Sequence, residues 1–528
     1  MTPGMDATST DAAGVLVAGD PADDPSDRDP FDDLVTPAPD DGDDGQPPGP
    51  SPEQVARDRF VRGAVDAVVV AACAVFVFAN LHPSQILSSA VPAGGDMGAH
   101  VWGPAYLRDE LLPQLRISGW TPDWYAGFPA YQFYMVVPSL LIVLLNAGIQ
   151  GPLAVFPAAG AVGLAITAWY RRDERRVRNL AAAGAVVAFC LVGLPYGIAF
   201  KLVTVSGILT LPIACYAFGR LARLSFPTPA VLAVASMPFL FYRGFTIYGG
   251  NIASTLAGEF AFSMALSLAV LYTGMVLRGL ETGRYRAWTA ALLALTGLCH
   301  LIVAFWAIAA TVIIVLVRFN RSREPLAPNA LLVAGGGAFG VAALLLGAPE
   351  TLPGLALAAL GVGCAFAGLY RLSQSVRWIT PVAVVGGLLS AFWVGPFYLR
   401  RAYLNDMGWE KLPYADQTIW QHLFPSKTPD IDLRWAFALA VVGGLVSIGL
   451  RLRAGVFLLV SSVVFGIAFV VVPEGRLWNG RLLPFYYLTT ILLAGQFVLL
   501  GTTSTIVFMV LAAAAGGAGH GLLFPVLT

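Results

Sequence analysis

Asp96 and His100 stand four residues apart in the stretch PAGGDMGAHVWGPAYLRDELL. If that stretch is helical they share one face, with Gly103 and Leu107 on the next turns, so a carboxylate and an imidazole point the same way. Asp96 could then act as a general base toward an acceptor hydroxyl. The pair could also hold one divalent cation, although two ligands at helical spacing define no metal by themselves. The plainer alternatives are an N-cap role for Asp96 after the Gly94-Gly95 turn and, for His100, a helix-face residue that bonds Asp96 and fixes its rotamer.

Other candidates lie far away in sequence. His300, in GLCHLIVAFW, interrupts an otherwise apolar run, and an ionisable group at that depth suggests function or a capped helix break. Asn251 and Glu259 follow the turn-rich FYRGFTIYGGN, which could line a sugar pocket or simply form a tight turn and a helix-start carboxylate. Arg476 and Arg481, in PEGRLWNGRLLPFYY, fit the bidentate geometry of phosphate oxygens; anchoring to lipid headgroups is the alternative. Trp124 and Tyr125 belong to an aromatic run, WTPDWYAGFPAYQFY, of the kind that stacks on sugars or marks a membrane interface. A second such stretch, RRAYLNDMGWEKLPYADQTIWQHLF, carries Arg400, Asp406, Trp409, Glu410 and Asp416, and reads mostly as an interfacial loop.

The elements that must position these residues are membrane helices. Of 528 residues 57% are hydrophobic and only 12% charged, where a soluble domain keeps roughly 25% charged to cover its surface. This composition excludes a soluble enzyme and a nucleic-acid reader. All five cysteines fall in apolar runs, so no disulfide framework is implied. Residues 1–62 hold 15 acids and 4 arginines, leaving 17 acids and 28 basic residues in a basic body. The first 55 residues contain thirteen Asp and no apolar periodicity; they are expected to be a disordered acidic tail.

The expected fold is all-α: a polytopic transmembrane bundle of about 13 segments over residues 56–528, beginning with Gly63–Leu81. Arginine clusters at 171–178, 220/223, 278–286, 318–323, 371/377 and 451/453 hold 17 of the 28 basic residues. Placing all of them inside puts the N-terminus in the cytoplasm and the two long loops, 82–131 and 399–434, on the external face. The alternation requires 287–317 to be two short helices meeting near His300. It also requires an odd number of crossings over 132–170, so 132–149 is expected to dip into the bilayer and return. Val101, Tyr106, Leu107, Leu111 and Leu112 make 96–115 amphipathic, as befits a helix lying along the membrane surface.

The run G-D-x-x-x-H, followed by L-R-x-x-L-L and then W-x-P-x-W-Y-A-G-F-P-x-Y-x-F-Y, resembles the opening of a prokaryotic membrane family labelled "6-pyruvoyl-tetrahydropterin synthase-related". That label carries no pterin chemistry here. More broadly, the layout resembles the C-type glycosyltransferases, which place an essential acid in the first external loop and use polyprenyl-phosphate sugars. The resemblance implies transfer of a sugar from such a donor to a cell-envelope glycan or lipid acceptor at the plasma membrane. Asp96 would be catalytic, and His100, Trp124, Tyr125, His300, Arg476 and Arg481 would bind substrate. The chain has one acid at Asp96 where better-known branches have an adjacent pair. Two alternatives remain from other classes: a lipid or glycan flippase or transporter, and a non-catalytic assembly protein.

Overall fold

The computed structural model describes residues 51–124, 126–348, 351–404, 410–425, 432–475 and 477–498. The expected acidic tail up to residue 50, Tyr125, Arg476, Asp406, Trp409 and the last apolar segment, 504–523, lie outside the described residues. The protein is predominantly helical, as the hydropathy pattern requires. Its helices are α1 (Pro52–Asn80), α2 (Pro83–Ile86), α3 (Met97–Tyr106), α4 (Val137–Asn146), α5 (Val155–Tyr170), α6 (Arg175–Cys190), α7 (Tyr196–Leu221), α8 (Thr228–Phe241), α9 (Ile252–Ser254) and α10 (Phe260–Thr282). They continue as α11 (Arg286–Cys299), α12 (Leu301–Val317), α13 (Leu326–Leu345), α14 (Leu352–Leu372), α15 (Gln374–Leu399), α16 (Ile419–Leu423), α17 (Arg434–Gly449), α18 (Arg453–Val471) and α19 (Leu483–Val498).

Among the described residues eight helices are long and apolar enough to cross a membrane, fewer than the 13 or so segments expected. Five further apolar helices have only 10–17 residues, below the roughly 20 a straight span needs. The break at His300 is where the alternation put it. α11 ends at Cys299, α12 begins at Leu301, and His300 between them is extended (φ −161°, ψ 120°). α4 has ten residues, about 15 Å, and cannot cross alone. Its C-terminal end returns to the start of α7 through a Leu194 N–H donated to the Leu145 carbonyl (2.8 Å).

α10 is the core helix. It is apolar on all sides, and 18 of its residues are buried against α7, α11, α12 and neighbouring helices. It approaches α7 closely because small residues line the seam: a Cβ on Gly207 would stand 2.3 Å from the Met264 nitrogen. Ser267 Oγ donates to Thr210 Oγ1 across that seam (2.9 Å). α1 is fastened to α7 by buried Asp66, which accepts from Tyr216 Oη (3.2 Å) and Arg220 Nη1 (3.4 Å). By contrast α5 buries no residue, and α13 and α14 pack chiefly on each other, leaving apolar faces suited to lipid tails.

Residues 97–114 are helical almost throughout, as the amphipathic pattern predicts. α3 passes into a π-turn, Leu107–Leu111, and then a 3-10 turn, Leu112–Gln114. A small antiparallel hairpin follows, β1 (Gly119–Thr121) and β2 (Phe128–Ala130), with Gly119 opposite Ala130. Its aromatic and proline content carries no strand signal, and the sequence alone does not predict this pairing.

Candidate functional site

The layer that carries Asp96 is fixed to the bundle by polar straps. Arg108 Nη1 donates to Asn146 Oδ1 (2.6 Å), and Asn146 Nδ2 donates to the Leu194 carbonyl (3.0 Å), tying the π-turn after α3 to the ends of α4 and α7. The Arg108 guanidinium also lies over the Tyr196 ring (5.3 Å), and Tyr196 Oη bonds the Val101 carbonyl. Asp109 is occupied by Arg108 (2.7 Å), and that pairing holds its carboxyl below the usual range. It therefore serves as a surface ion-pair partner, distinct from Asp96.

A second segment, Asn251 to Glu259, presses directly against Asp96. Asn251 is fully buried and its amide is used up locally: Nδ2 donates to the Tyr242 (2.7 Å) and Phe245 (3.0 Å) carbonyls, and Oδ1 accepts from Ser254 N–H (2.9 Å). Asn251 is thus a turn clamp, and the sugar-lining alternative is not what its geometry serves. The clamp launches a π-turn, Thr255–Glu259, of a kind common at functional sites. Asp96 N–H donates to the Ala257 carbonyl within that turn (3.0 Å).

Two glycines make this contact attainable. Gly95 has φ +52° and a Cβ there would lie 2.3 Å from the Ala257 oxygen. Gly258 has φ +134°, and a Cβ there would lie 3.0 Å from Asp96 Cβ and 3.3 Å from His100 Nε2. Any other residue at 258 would need an unfavourable backbone and would push on both side chains.

Asp96 occupies the N-cap position of α3, yet its side chain makes no capping bond and is exposed. The N-cap alternative therefore fails for the carboxylate. His100 is half-buried between the rings of Tyr134 (5.4 Å) and Phe260 (5.1 Å). Burial pushes its pKa below the ordinary histidine value, with the Asp96 charge pulling partly the other way, so the imidazole is neutral near pH 7.

Tyr134 draws the remaining candidates together. Its phenol is held well above its usual pKa, first by burial and then by the Glu259 carboxylate, with Arg481 opposing and Asp96 adding to the rise. Asp96, Glu259 and Arg481 therefore all lie within electrostatic reach of one hydroxyl. Arg481 sits in the 3-10 turn Asn479–Leu482 ahead of α19, and its Nη2 pairs with Glu259. Its Nη1 is buried and has no hydrogen-bond partner among the described residues; the same holds for Nδ1 of His300. His300 is within electrostatic range of Arg481 and packs on Phe262 (5.0 Å). Phe262, Phe485 and Trp306 form an aromatic wall behind it.

Beside this cluster, across the seam of 94–97 and 256–258, lies a cavity of about 560 Å³. Met97 and Leu256 line its near side, α7 and α8 its far side, and Lys201, Arg243 and His82 its polar rim. Asp96, His100, His300 and Arg481 are not part of its wall. Lys201, a lone cation in the first turns of α7, is buried, and its Nζ donates to the carbonyls of Gln85 and Ser88 and to Ser88 Oγ.

Of the residues singled out from sequence, the structure groups Asp96, His100, Glu259, His300 and Arg481. Trp124 joins a different group, meeting Trp102 (5.7 Å) beside Tyr106. In the second long stretch Arg400 bonds Gln132, and Leu412 is clamped by Asn479 through 3.0 Å and 2.7 Å bonds. Among the described residues no three His, Cys, Asp or Glu side chains converge to hold a metal, so Asp96 and His100 lack a third such ligand. Sequence reasoning missed Tyr134, Gly258 and Lys201; a lone lysine inside an apolar run was the one available signal. Compared with known proteins, the chain matches no family model, no curated protein and no solved structure.

Proposed function

We propose that the chain is a multi-pass membrane glycosyltransferase-like enzyme that moves a sugar from a polyprenyl-phosphate donor to an acceptor hydroxyl. The observation that carries this reading is the gathering of Asp96, His100, Tyr134, Glu259, His300 and Arg481 from five separate segments at one end of the bundle. A carboxylate free of side-chain bonds and a guanidinium with one unused buried nitrogen are what such a transfer needs. Asp96 takes the acceptor proton, and the acceptor oxygen attacks the anomeric carbon. The bond from that carbon to the donor phosphate oxygen breaks, and its electron pair leaves with the phosphate. Arg481 Nη1 then hydrogen-bonds the oxygen that gains charge. Direct displacement inverts the anomeric centre.

Glu259 holds the other arm of Arg481, so the guanidinium arrives pre-oriented. Neutral His100 backs Asp96 without competing for the proton. The adjacent cavity, mostly apolar in its lining, suits the first isoprene units of a lipid donor whose phosphate stands at Arg481. The positive-inside pattern supports an external position for this end, at the plasma membrane with a cytoplasmic N-terminus, and the acceptor in this reading is an envelope glycan or lipid.

The test is turnover. Full-length protein in proteoliposomes carrying a polyprenyl-phosphate sugar pool and an envelope lipid acceptor fraction is assayed for released polyprenyl phosphate. Asp96→Asn is expected to lower release by ~10²- to 10⁴-fold while insertion and Tm stay unchanged. Full activity of Asp96→Asn would sink the assignment.

A further inference from the structure

α7, α10 and α12 start beside Asp96, His100 and His300 and run through the bundle to its opposite end; the 26 residues of α7 cover about 39 Å. There three arginines gather around one carboxylate, with a fourth arginine near one of them. Arg223, just past α7, reaches Glu281 Oε1 (3.4 Å), and Arg278, in the last turns of α10, reaches Glu281 Oε2 (3.3 Å). Arg318, the C-cap of α12, donates from Nη1 to the Leu277 carbonyl (3.2 Å), and Arg453, the first residue of α18, lies within its electrostatic range. The Arg278 side chain is only 5% exposed. Arg318 Nε is buried with no hydrogen-bond partner among the described residues.

The charges do not balance. Three helix C-termini contribute roughly half a negative charge each, the N-terminus of α18 roughly half a positive one and Glu281 one negative, so about two positive charges remain uncompensated in a partly buried place. Retention of arginines on the inner side accounts for their presence in the chain but not for burying Arg278 and half-burying Arg318 beside a single acid. Guanidinium groups with unused N–H donors match phosphate oxygens in fork geometry.

We infer that Arg223, Arg278, Arg318 and Arg453 form a binding site for a phosphate group, carried by an anionic phospholipid of the adjacent leaflet or by free phosphate. This site is independent of the proposed transfer chemistry.

The experiment uses the full chain in zwitterionic detergent, titrated separately with dioctanoyl phosphatidic acid, dioctanoyl phosphatidylcholine and inorganic phosphate, reading saturable binding and Tm. Phosphatidic acid is expected to bind and raise Tm, phosphatidylcholine to do neither, and Arg318→Gln and Arg453→Gln each to weaken binding about tenfold. Arg453 is exposed, so its variant keeps the test valid should Arg318→Gln fold poorly. Equal binding of inorganic phosphate would support the site with free phosphate as its ligand; binding of phosphatidic acid alone supports the lipid. No saturable binding of either anion, equal binding of phosphatidylcholine, or wild-type affinity in both variants would overturn the inference and leave the arginines as helix-end residues only.

Discussion

The two ends of α7, α10 and α12 carry unlike clusters. At one end Asp96, Glu259, Arg481 and His100 lie around the Tyr134 phenol, with His300 within electrostatic range of Arg481. At the other, four arginines stand together with a single glutamate among three of them. Mixed charge with a free carboxylate can move a proton and stabilise a leaving group in the same step; charge of one sign can only hold an anion. Backbone geometry follows the same division. The mixed cluster is built on a π-turn and two glycines at positive φ, while the arginine cluster sits on helix ends, with Arg223 itself at φ +58° just past α7. The difference is one of approach: glycines let two backbones meet where Asp96 must be placed, and no such close backbone contact builds the arginine cluster.

The largest effect that would sharpen this contrast is that of Asp96→Asn, expected to abolish release of polyprenyl phosphate without changing phosphatidic acid binding at the far end. Gly258→Ala comes next. Its φ of +134° and the 3.0 Å approach to Asp96 imply about 1–3 kcal/mol of strain, read as a lower Tm together with reduced turnover. A Gly258→Ala protein with wild-type Tm and turnover would show that the seam does not position Asp96.

The two glutamates should behave oppositely. Glu259→Gln leaves Arg481 part-buried and unpaired, with an expected loss of about 1–3 kcal/mol in stability and of transfer through a misoriented guanidinium. Glu281→Gln removes the one acid that competes with phosphate and is expected to tighten phosphatidic acid binding. The comparison breaks if both substitutions act in the same direction on their respective ligands.

The smallest effect is one of pH. The His100 pKa is depressed in the folded protein, so below the unfolded value of about 6.5 the unfolded state binds more protons. Its stability contribution is therefore complete above that value and declines as pH falls toward the folded pKa. Tm measured from pH 7.5 down to about 5 should drop more steeply in wild type than in His100→Asn. Equal slopes would mean that the imidazole is not desolvated by Tyr134 and Phe260.

Much of this was legible in the sequence, and the reasons are physical. Hydropathy sets the helices, and the arginine alternation alone demanded the break at His300. The four-residue spacing put Asp96 and His100 on one helix, and Arg481 stood out because a guanidinium fits phosphate oxygens bidentately. What periodicity cannot carry is which loops meet. The Glu259 to Arg481 pair joins distant segments, and the approach of Gly258 to Asp96 depends on the Asn251 clamp and a π-turn that no propensity signals. Asn251 itself reads equally as a pocket residue or a clamp until its amide bonds are traced. The hairpin Gly119–Ala130 was obscured by prolines and aromatics that fit an irregular loop as well as a strand pair.

The most direct test of the central claim is electron cryo-microscopy of the full-length protein in nanodiscs supplied with a polyprenyl phosphate. The account expects phosphate density in hydrogen-bond contact with Arg481 Nη1, on the side of the cluster that faces Asp96. Its lipid chain should run into the neighbouring cavity between α7 and α8. Phosphate density away from Arg481 at saturating lipid, or no density there at all, would contradict it.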